Sequence, residues 1–247
     1  MEKEINGIKL EICANSIYSA EQAQAAGASR VELCQNLENG GTTPSYGQIK
    51  TTRDLLHIEV HVLIRPRAGD FLYNKQEFEE MKADIKMCKE LKCDGVVIGI
   101  LDEAAHVDIP RMNELVNLAK PMTVVFHRAF DRCADPYQAL EDIISLGCDR
   151  ILTSGQKNTA EEGRGLLQEL VGLASGRIEI MPGSGVNAQN VKDILNFTQA
   201  RSIHASAKTS IASEMLYHND NLKGMDEDVI FSDRKKVEEL IEQIKSL

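Results

Sequence analysis

Residues 10–33 read LEICANSIYSAEQAQAAGASRVEL, and they contain a strand, a helix and a second strand. The apolar runs at 10–13 and 30–33 are short, as expected for buried strands. Between them, residues 16–26 predict a helix, with Ser16 as the residue that caps its N-terminus. This order of elements is the unit from which parallel α/β sheets are built.

The same alternation continues to the end of the chain and predicts eight strand–helix units. Strands are predicted at 10–13, 30–33, 59–64, 95–98, 122–126, 150–152, 177–181 and 202–205. Helices are predicted at 16–26, 45–55, 110–119, 136–146, 160–174, 187–196 and 233–244, with one more that follows the loop 65–73 and ends near residue 91. A long loop is expected before the last helix.

Eight such units favour a single (β/α)8 TIM barrel over residues 1–247, because closing the sheet leaves no exposed edge. An open doubly wound sheet has the same local pattern and remains the alternative. A weak internal repeat supports the barrel, since 26–31, 91–96 and 146–151 all resemble the junction between a helix end and a strand start. Gly27 and Gly147 suit the left-handed residue that ends a helix.

The composition of the chain argues against several classes of protein. The net charge is −10, and no basic patch is interleaved with aromatic residues, so nucleic-acid binding is not expected. No apolar run is long enough to span a bilayer and the N-terminus lacks signal-peptide features, so we expect a cytoplasmic protein without a membrane partner. The six cysteines include no CxxC pair and do not suggest a disulfide framework.

The C-terminal ends of the first two strands carry an acid and a thiol each. Side chains alternate along a strand, so Glu11 and Cys13 share one face, as do Glu32 and Cys34. All four are expected to point into the barrel. The two cysteines could simply fill a tight interior, or they could form a soft-metal site, because Cu(I) prefers sulfur ligands.

Nearly every other strand also ends in ionisable or hydrogen-bonding residues, which predicts a polar pocket at the C-terminal face. Arg65, His127 and Arg128 are candidates either for structural counterions of Glu11 and Glu32 or for an anion-binding and catalytic role. His127 has the pKa range of a general base. The further candidates for anion binding are Asp131, Ser154, Gly183, Ser184, Gly185, His204 and Ser206.

The turn at 183–185 opens a predicted helix, and glycines there would let a ligand approach the backbone. Many barrels bind phosphate at the loops after strands seven and eight. Here those loops are 183–187 and 204–208, so we expect phosphate or another anion at this place.

Several longer segments resemble the CutC family. They are LEIC at 10–13, RVELC at 30–34, GGTTPS at 40–45, IRPRAGDF at 64–71, FHRAFD at 126–131, ILTSGQ at 151–156 and MPGSGV at 181–186. The resemblance extends from about residue 7 to the final helix. It implies a cytoplasmic TIM-barrel protein that is associated with copper homeostasis and forms a homodimer or higher homo-oligomer. It also implies a Cu(I) site at Cys13 and Cys34.

Two functions therefore stand side by side. The first is a copper-binding homeostasis protein with Cys13 and Cys34 as ligands. The second is an enzyme that acts on a small anionic or phosphorylated metabolite, with Glu11, Glu32 and His127 in acid–base roles. The density of ionisable groups at the barrel mouth favours the second, the resemblance favours the first, and both hold if the metal site is secondary.

Overall fold

The structure is a computed structural model that describes residues 4–219, 221 and 228–247. The barrel strands are β1 Lys9–Ala14, β2 Arg30–Leu33, β3 Glu59–Leu63, β4 Gly95–Ile98, β5 Thr123–Phe126, β6 Arg150–Thr153, β7 Glu179–Pro182 and β8 Ser202–Ala205. The helices are α1 Ile17–Ala26, α2 Tyr46–Leu55, α3 Lys75–Glu90, α4 Ile109–Ala119, α5 Pro136–Leu146, α6 Arg164–Ala174, α7 Val191–Thr198 and α8 Arg234–Lys245.

All eight strands run parallel, in the order β7-β6-β5-β4-β3-β2-β1-β8. Each strand therefore lies beside its neighbours in sequence, and β8 pairs with β1, with Glu11 opposite His204. Strand β7 also contacts β8, which brings the two ends of the sheet together in a nearly closed barrel. The predicted (β/α)8 barrel is confirmed, and the doubly wound alternative is wrong because its strand order would reverse at a switch point.

The predicted helix ends agree with the structure where local chemistry decides them. The Ser16 side chain accepts a hydrogen bond from the Ser19 backbone N–H and so caps α1. Gly27 and Gly147 end α1 and α5 in the left-handed conformation, with φ of 102° and 76°. A side chain at either position would be strained, so the glycines let the chain turn at once into the next strand.

The apolar residues form two clusters separated by the sheet. The larger cluster fills the space between strands and helices and includes Leu10, Ile12, Val31 and Leu33. The smaller one fills the barrel interior with Cys13, Cys34, Leu63, Val97, Val125, Leu152 and Met181. Almost every strand thus contributes one apolar side chain to an interior layer, which is the packing expected of a small barrel.

Two helices begin later than predicted, because their first residues are used in tertiary contacts. Helix α6 starts at Arg164 instead of residue 160. The backbone of Gly163 lies against that of Ser154 so closely that any side chain at 163 would collide with it. Helix α7 starts at Val191 instead of residue 187, since Asn187 and Asn190 first bond to each other in a turn.

The long connection expected between β8 and the last helix contains two strands that the sequence analysis did not predict. Strand β9 (Lys208–Ile211) pairs antiparallel with β10 (Val229–Ser232). The hairpin packs on α1, where the rings of Tyr18 and Phe231 meet edge to face at 5.4 Å. Local patterning did not reveal it, because each strand has only four residues and its partner is distant in the chain.

Candidate functional site

The interior face of β1 and β2 carries the acids and thiols that alternation predicts. Glu11, Cys13, Glu32 and Cys34 are all buried, and their apolar neighbours face the helices. The Sγ atoms of Cys13 and Cys34 lie 3.5 Å apart. Cys13 borders a cavity at the C-terminal end of the barrel, whereas Cys34 is completely buried behind it.

Below the thiols, Glu11 lies at the centre of a buried polar network. Its Oε2 accepts a hydrogen bond from Arg30 Nε at 2.6 Å, and its Oε1 lies 2.7 Å from His204 Nδ1. Burial on its own would raise the pKa of Glu11, but the Arg30 charge and the His204 hydrogen bond hold that pKa well below its usual value. Glu11 is therefore an ionised carboxylate inside the barrel.

Arg30 completes this network. Its side chain is fully buried, and its terminal nitrogen donates to Ser202 Oγ at 2.7 Å and approaches Met181 Sδ at 3.2 Å. The counterions of Glu11 are therefore Arg30 and His204. The alternative in which Arg65, His127 and Arg128 neutralise Glu11 and Glu32 is wrong, because those three side chains have other partners.

His204 joins the network to the thiols. Its Nε2 lies 3.6 Å from Glu32 Oε2. Burial would lower the pKa of His204, but its hydrogen bonds to Cys13 and Glu11 and the charges of Glu32 and Glu11 raise that pKa well above its usual value. The raised pKa favours the protonated form of His204, whose Nδ1 donates to Glu11 and whose charge compensates the acids around it.

Cys13 and Glu32 both hold their protons more tightly than in water. The Cys34 hydrogen bond and burial raise the pKa of the Cys13 thiol. Burial also raises the pKa of Glu32, although His204 acts in the opposite direction. Cys13, Glu32 and His204 offer ligand atoms within 4.8 Å of one another, so this is where a metal ion would fit among the described residues.

A cavity of about 380 Å³ opens above this cluster. Glu32, Cys13 and His204 form its floor, and its wall includes Arg65, Phe71, His127, Arg128, Ser184, Gly185, Val186, Ser206 and Lys208. A second, wider cavity of about 890 Å³ adjoins it and shares Gly40, Arg65, Phe71 and Arg128. Charged and polar side chains therefore line the barrel mouth together with apolar ones such as Phe71 and Val186.

Arg65 lies in this wall without a carboxylate partner in the described part of the chain. Its terminal nitrogens donate to the backbone carbonyls of Asn39, Gly41 and Gly69 at 2.6–2.9 Å. Its Nε is buried and has no hydrogen-bond partner. The guanidinium also lies over the Phe71 ring, 5.0 Å from the centroid.

His127 is buried beside Arg65 and is held in one tautomer. Its Nδ1 accepts a hydrogen bond from the Ala129 backbone N–H at 3.1 Å, so the ring proton resides on Nε2. Burial and the Arg65 charge lower the pKa of His127 to about 3. The ring is therefore neutral, with its lone pair engaged, which suits a hydrogen-bond donor better than a general base.

Asp131 and Ser154 are hydrogen-bonded to each other, and Asp131 also lines the wider cavity. Asp131 accepts hydrogen bonds from Arg128 Nε at 2.7 Å and from the Ser154 backbone and hydroxyl at 3.0–3.1 Å. Arg128 also donates to Ser154 Oγ at 3.0 Å. This triad fixes the loop after β6 and leaves Arg128 partly exposed at the rim of both cavities.

The loops after β7 and β8 present backbone donors to the smaller cavity. Ser184 Oγ donates to the Asn158 carbonyl at 2.7 Å, so that hydroxyl is occupied. Within the described residues, the N–H groups of Gly185, Val186 and Ser206 have no protein acceptor. Gly183 has no room for a side chain, since a Cβ would lie 2.5 Å from Leu152.

Comparison with known proteins identifies the family. The sequence profile of the CutC family matches residues 8–209. The chain belongs to the CutC family. A CutC protein of Parabacteroides distasonis is 49% identical over 238 residues, which cover 96% of this chain and 98% of the relative. The family resemblance is thereby confirmed.

Solved structures agree with the fold. A protein of Streptococcus agalactiae, named for copper homeostasis as CutC, superimposes with a TM-score of 0.77 at 40% identity and covers 80% of this chain and 97% of its own. A thiamine phosphate pyrophosphorylase of Pyrococcus furiosus matches with a TM-score of 0.62 at 16% identity, which shows the shared barrel alone. No helix in the described part of the chain has the length and hydropathy to cross a membrane.

In this CutC chain, sequence reasoning found the thiols and acids but missed Arg30, Phe71 and Lys208. Arg30 could have been found, because it stands two positions before Glu32 and so shares its inward face. Phe71 and Lys208 come from loops, whose course strand alternation does not determine. His204 was expected among anion-binding residues, and the structure places its ring on Glu11 and beside Glu32.

Proposed function

We propose that this CutC chain binds Cu(I) through Cys13 and Cys34 and serves in copper homeostasis. The observation that carries the proposal is the pair of sulfur atoms facing each other at 3.5 Å inside the barrel. Sulfur is the ligand that Cu(I) prefers. The name of the Streptococcus agalactiae relative points to the same role.

The surroundings of the thiols make this binding dependent on pH. The Cys13 thiol carries its proton at neutral pH, because its pKa is raised, and a metal binds the thiolate. Cu(I) therefore has to displace at least the Cys13 proton. Affinity for Cu(I) is expected to rise with pH for this reason.

A competition titration under reducing conditions tests the proposal. Wild-type protein is expected to take one Cu(I) from a chromophoric chelator, and the double variant Cys13→Ser, Cys34→Ser is expected to take none. Cys148→Ala is the matched control, since it removes a buried thiol at the opposite end of the barrel strands, just before β6. Undiminished binding by the double variant would remove the proposed site.

A second candidate function is supported by the cavity above the thiols. Besides His204, its lining contains Arg65, Arg128 and Lys208, which are cationic, but one carboxylate, Glu32. The chain as a whole has a net charge of −10, so this local excess of positive charge favours an anionic ligand. We propose as this second candidate an enzyme that acts on a small anionic or phosphorylated metabolite.

Acid–base chemistry in that enzyme would fall mainly to Glu32. Its carboxyl group lines the cavity and has a raised pKa, whereas Glu11 is held as an anion by Arg30 and His204 below it. The open N–H groups of Gly185 and Ser206 would bind the anion. A crystal soaked in phosphate is expected to show it near Gly185; phosphate confined to the outer surface would count against this function.

The cellular setting is part of the same proposal. All six cysteines carry free thiols, which suits the reducing cytoplasm. The apolar side chains exposed on the β9–β10 hairpin suit a homodimer or higher homo-oligomer. Fractionation of cells and measurement of the molar mass in solution test these two points.

A further inference from the structure

Two buried nitrogen atoms in the wall of the smaller cavity have no hydrogen-bond partner. They are Nε of Arg65 and Nε2 of His127, whose residues are 5% and 4% exposed. Buried donors without acceptors are rare in folded proteins, and each costs free energy. Their occurrence on neighbouring side chains calls for a common explanation.

Both nitrogens carry protons to donate. The guanidinium of Arg65 is always protonated, and its terminal nitrogens donate to three carbonyls, so its Nε–H remains to donate. His127 carries its proton on Nε2, because Nδ1 accepts from Ala129. The pair therefore offers one charged and one neutral donor.

No carboxylate in the described residues forms an ion pair with Arg65, whose terminal nitrogens donate to three backbone carbonyls. A buried cation without a counterion is costly. An oxyanion at this place would supply the missing charge and accept both hydrogen bonds at once. The lining residues of the wider cavity add Arg128, Arg132 and Lys157 near its entrance.

We infer that Arg65 and His127 together bind an oxyanion of a small-molecule ligand, with His127 donating a hydrogen bond from Nε2. The ligand group is a phosphate or a carboxylate. The inference deepens the second candidate function and rests on it. It also replaces the role of general base that the sequence suggested for His127 with that of a donor.

Phe71 covers this donor pair. Its ring centroid lies 4.9 Å from that of His127 and 5.0 Å from the Arg65 guanidinium carbon, and Phe71 lines both cavities. An oxyanion reaches the two nitrogens when the Phe71 ring turns aside. The Phe71 backbone is anchored, because its carbonyl accepts from the Leu101 N–H at 3.0 Å, so the movement involves the side chain.

The neighbouring Tyr73 hydroxyl is also buried, and burial raises its pKa to about 12, although the charge and the side-chain contact of Arg65 act in the opposite direction. Tyr73 does not belong to the lining of either cavity, so it is not assigned to the site. The site consists of Arg65 and His127 beneath Phe71.

The inference is tested by NMR of the imidazole nitrogens during titration with inorganic phosphate, and separately with acetate. The His127 Nε2–H resonance of the wild type is expected to shift on binding, and the pKa of His127 to rise when the anion is bound. Whichever probe causes these changes at the lower concentration identifies the ligand group.

Substitutions test whether these two donors bind the anion, or whether the overall positive charge of the region does. Arg65→Met and His127→Phe are each expected to weaken binding of the effective probe by about tenfold, the size expected for a hydrogen bond to a charged group. His127→Gln retains an N–H donor and is expected to bind nearly as tightly as the wild type, which also guards against misfolding of His127→Phe. Arg67→Met is the matched control, since Arg67 pairs with Asp70 and Glu77 outside both cavities.

The outcomes distinguish this inference from the second candidate function. If phosphate shifts the resonances of Gly185 and Ser206 but leaves His127 unchanged, the donor pair is wrong and the function stands. If neither probe perturbs any cavity residue, both are wrong. Equal binding by wild type, Arg65→Met and His127→Phe would also overturn the inference.

Discussion

Arg30 and Glu11 form an ion pair whose two side chains are almost completely buried. Buried pairs of this kind stabilise a protein little more than well-packed apolar residues would. Removal of one partner, however, leaves an unpaired buried charge, which is strongly destabilising. Arg30→Met leaves the ionised Glu11 with His204 and is expected to lower the free energy of unfolding by about 3–5 kcal/mol at pH 7. Urea denaturation measures the loss.

The double variant Glu11→Gln, Arg30→Met checks the cause of that loss. It removes both charges, so it is expected to be more stable than Arg30→Met alone. Arg201→Met serves as the control, because Arg201 is exposed. A double variant that loses the sum of both single effects would show that the pair is not coupled.

His127 gives the protein a predictable loss of stability in mild acid. Its pKa is lowered to about 3 in the fold, while the unfolded chain has a value near 6.5. Below pH 6.5 the imidazole binds a proton in the unfolded state but not in the folded state. The free energy of unfolding therefore falls as the pH drops from about 6.5 towards 3.

The variant His127→Gln lacks this proton uptake. Between pH 7 and pH 5 the wild type is expected to lose about 2 kcal/mol more than His127→Gln, from about 1.4 kcal/mol for each pH unit below 6.5. Urea denaturation of both proteins at several pH values measures the difference. Parallel curves would mean that His127 is protonated normally in the fold.

The site was predictable where one strand's alternation decides it and unpredictable where separate segments meet. Glu11, Cys13, Glu32 and Cys34 could be assigned to the interior from their spacing. The partners of Glu11 could not, since Arg30 and His204 reach it across strands whose register was unknown. Charges inside a barrel are compensated by side chains from several strands. The sequence of one strand therefore does not reveal the partners of its charged residues.

At the scale of elements, β4 begins with a glycine, and the missing side chain leaves room for the ring of a histidine on β3. Gly95 begins the strand, and a Cβ there would lie 2.6–2.9 Å from three ring atoms of the fully buried His61. Gly95→Ala is therefore expected to force the ring to move and to cost about 1–3 kcal/mol of unfolding free energy. Thermal or urea denaturation detects this.

Gly172→Ala provides the control within the same protein. Gly172 lies on the exposed side of α6, and nothing stands within 4 Å of the position that its Cβ would take. Alanine favours a helix over glycine, so this variant is expected to be as stable as the wild type or more so, by up to about 1 kcal/mol. Equal effects of both substitutions would contradict the packing argument.

The ends of helices and strands were predicted well where the local sequence sets them, and poorly where a contact with a distant segment sets them. Strands β2, β4 and β8 and helix α5 have the predicted limits. The start of α6 was missed because Gly163 is pressed against Ser154, a contact between segments that periodicity does not describe. The barrel itself was predictable, because the count and order of strand–helix units leave few other solutions.

At the scale of the whole molecule, β9 and β10 are the strands of the described chain that lie outside the barrel sheet. Ile211, Val229 and Ile230 are 47%, 61% and 36% exposed on it. Its inner side packs on α1, and Asn15, just before that helix, donates from Nδ2 to the Ile230 carbonyl at 2.9 Å. Exposed apolar side chains on a short sheet with open edges are typical of surfaces that pair with another chain.

We therefore expect the proposed homo-oligomer to form through this hairpin. Wild-type protein is expected to elute as two or more chains in size-exclusion chromatography with light scattering, and Ile211→Lys, Val229→Lys to elute as one, because charges on the apolar surface oppose burial. Leu173→Lys is the control, since Leu173 is 49% exposed on α6, away from the hairpin. A monomeric wild type, or an oligomer that persists in the hairpin variant, would show that the hairpin does not join the chains.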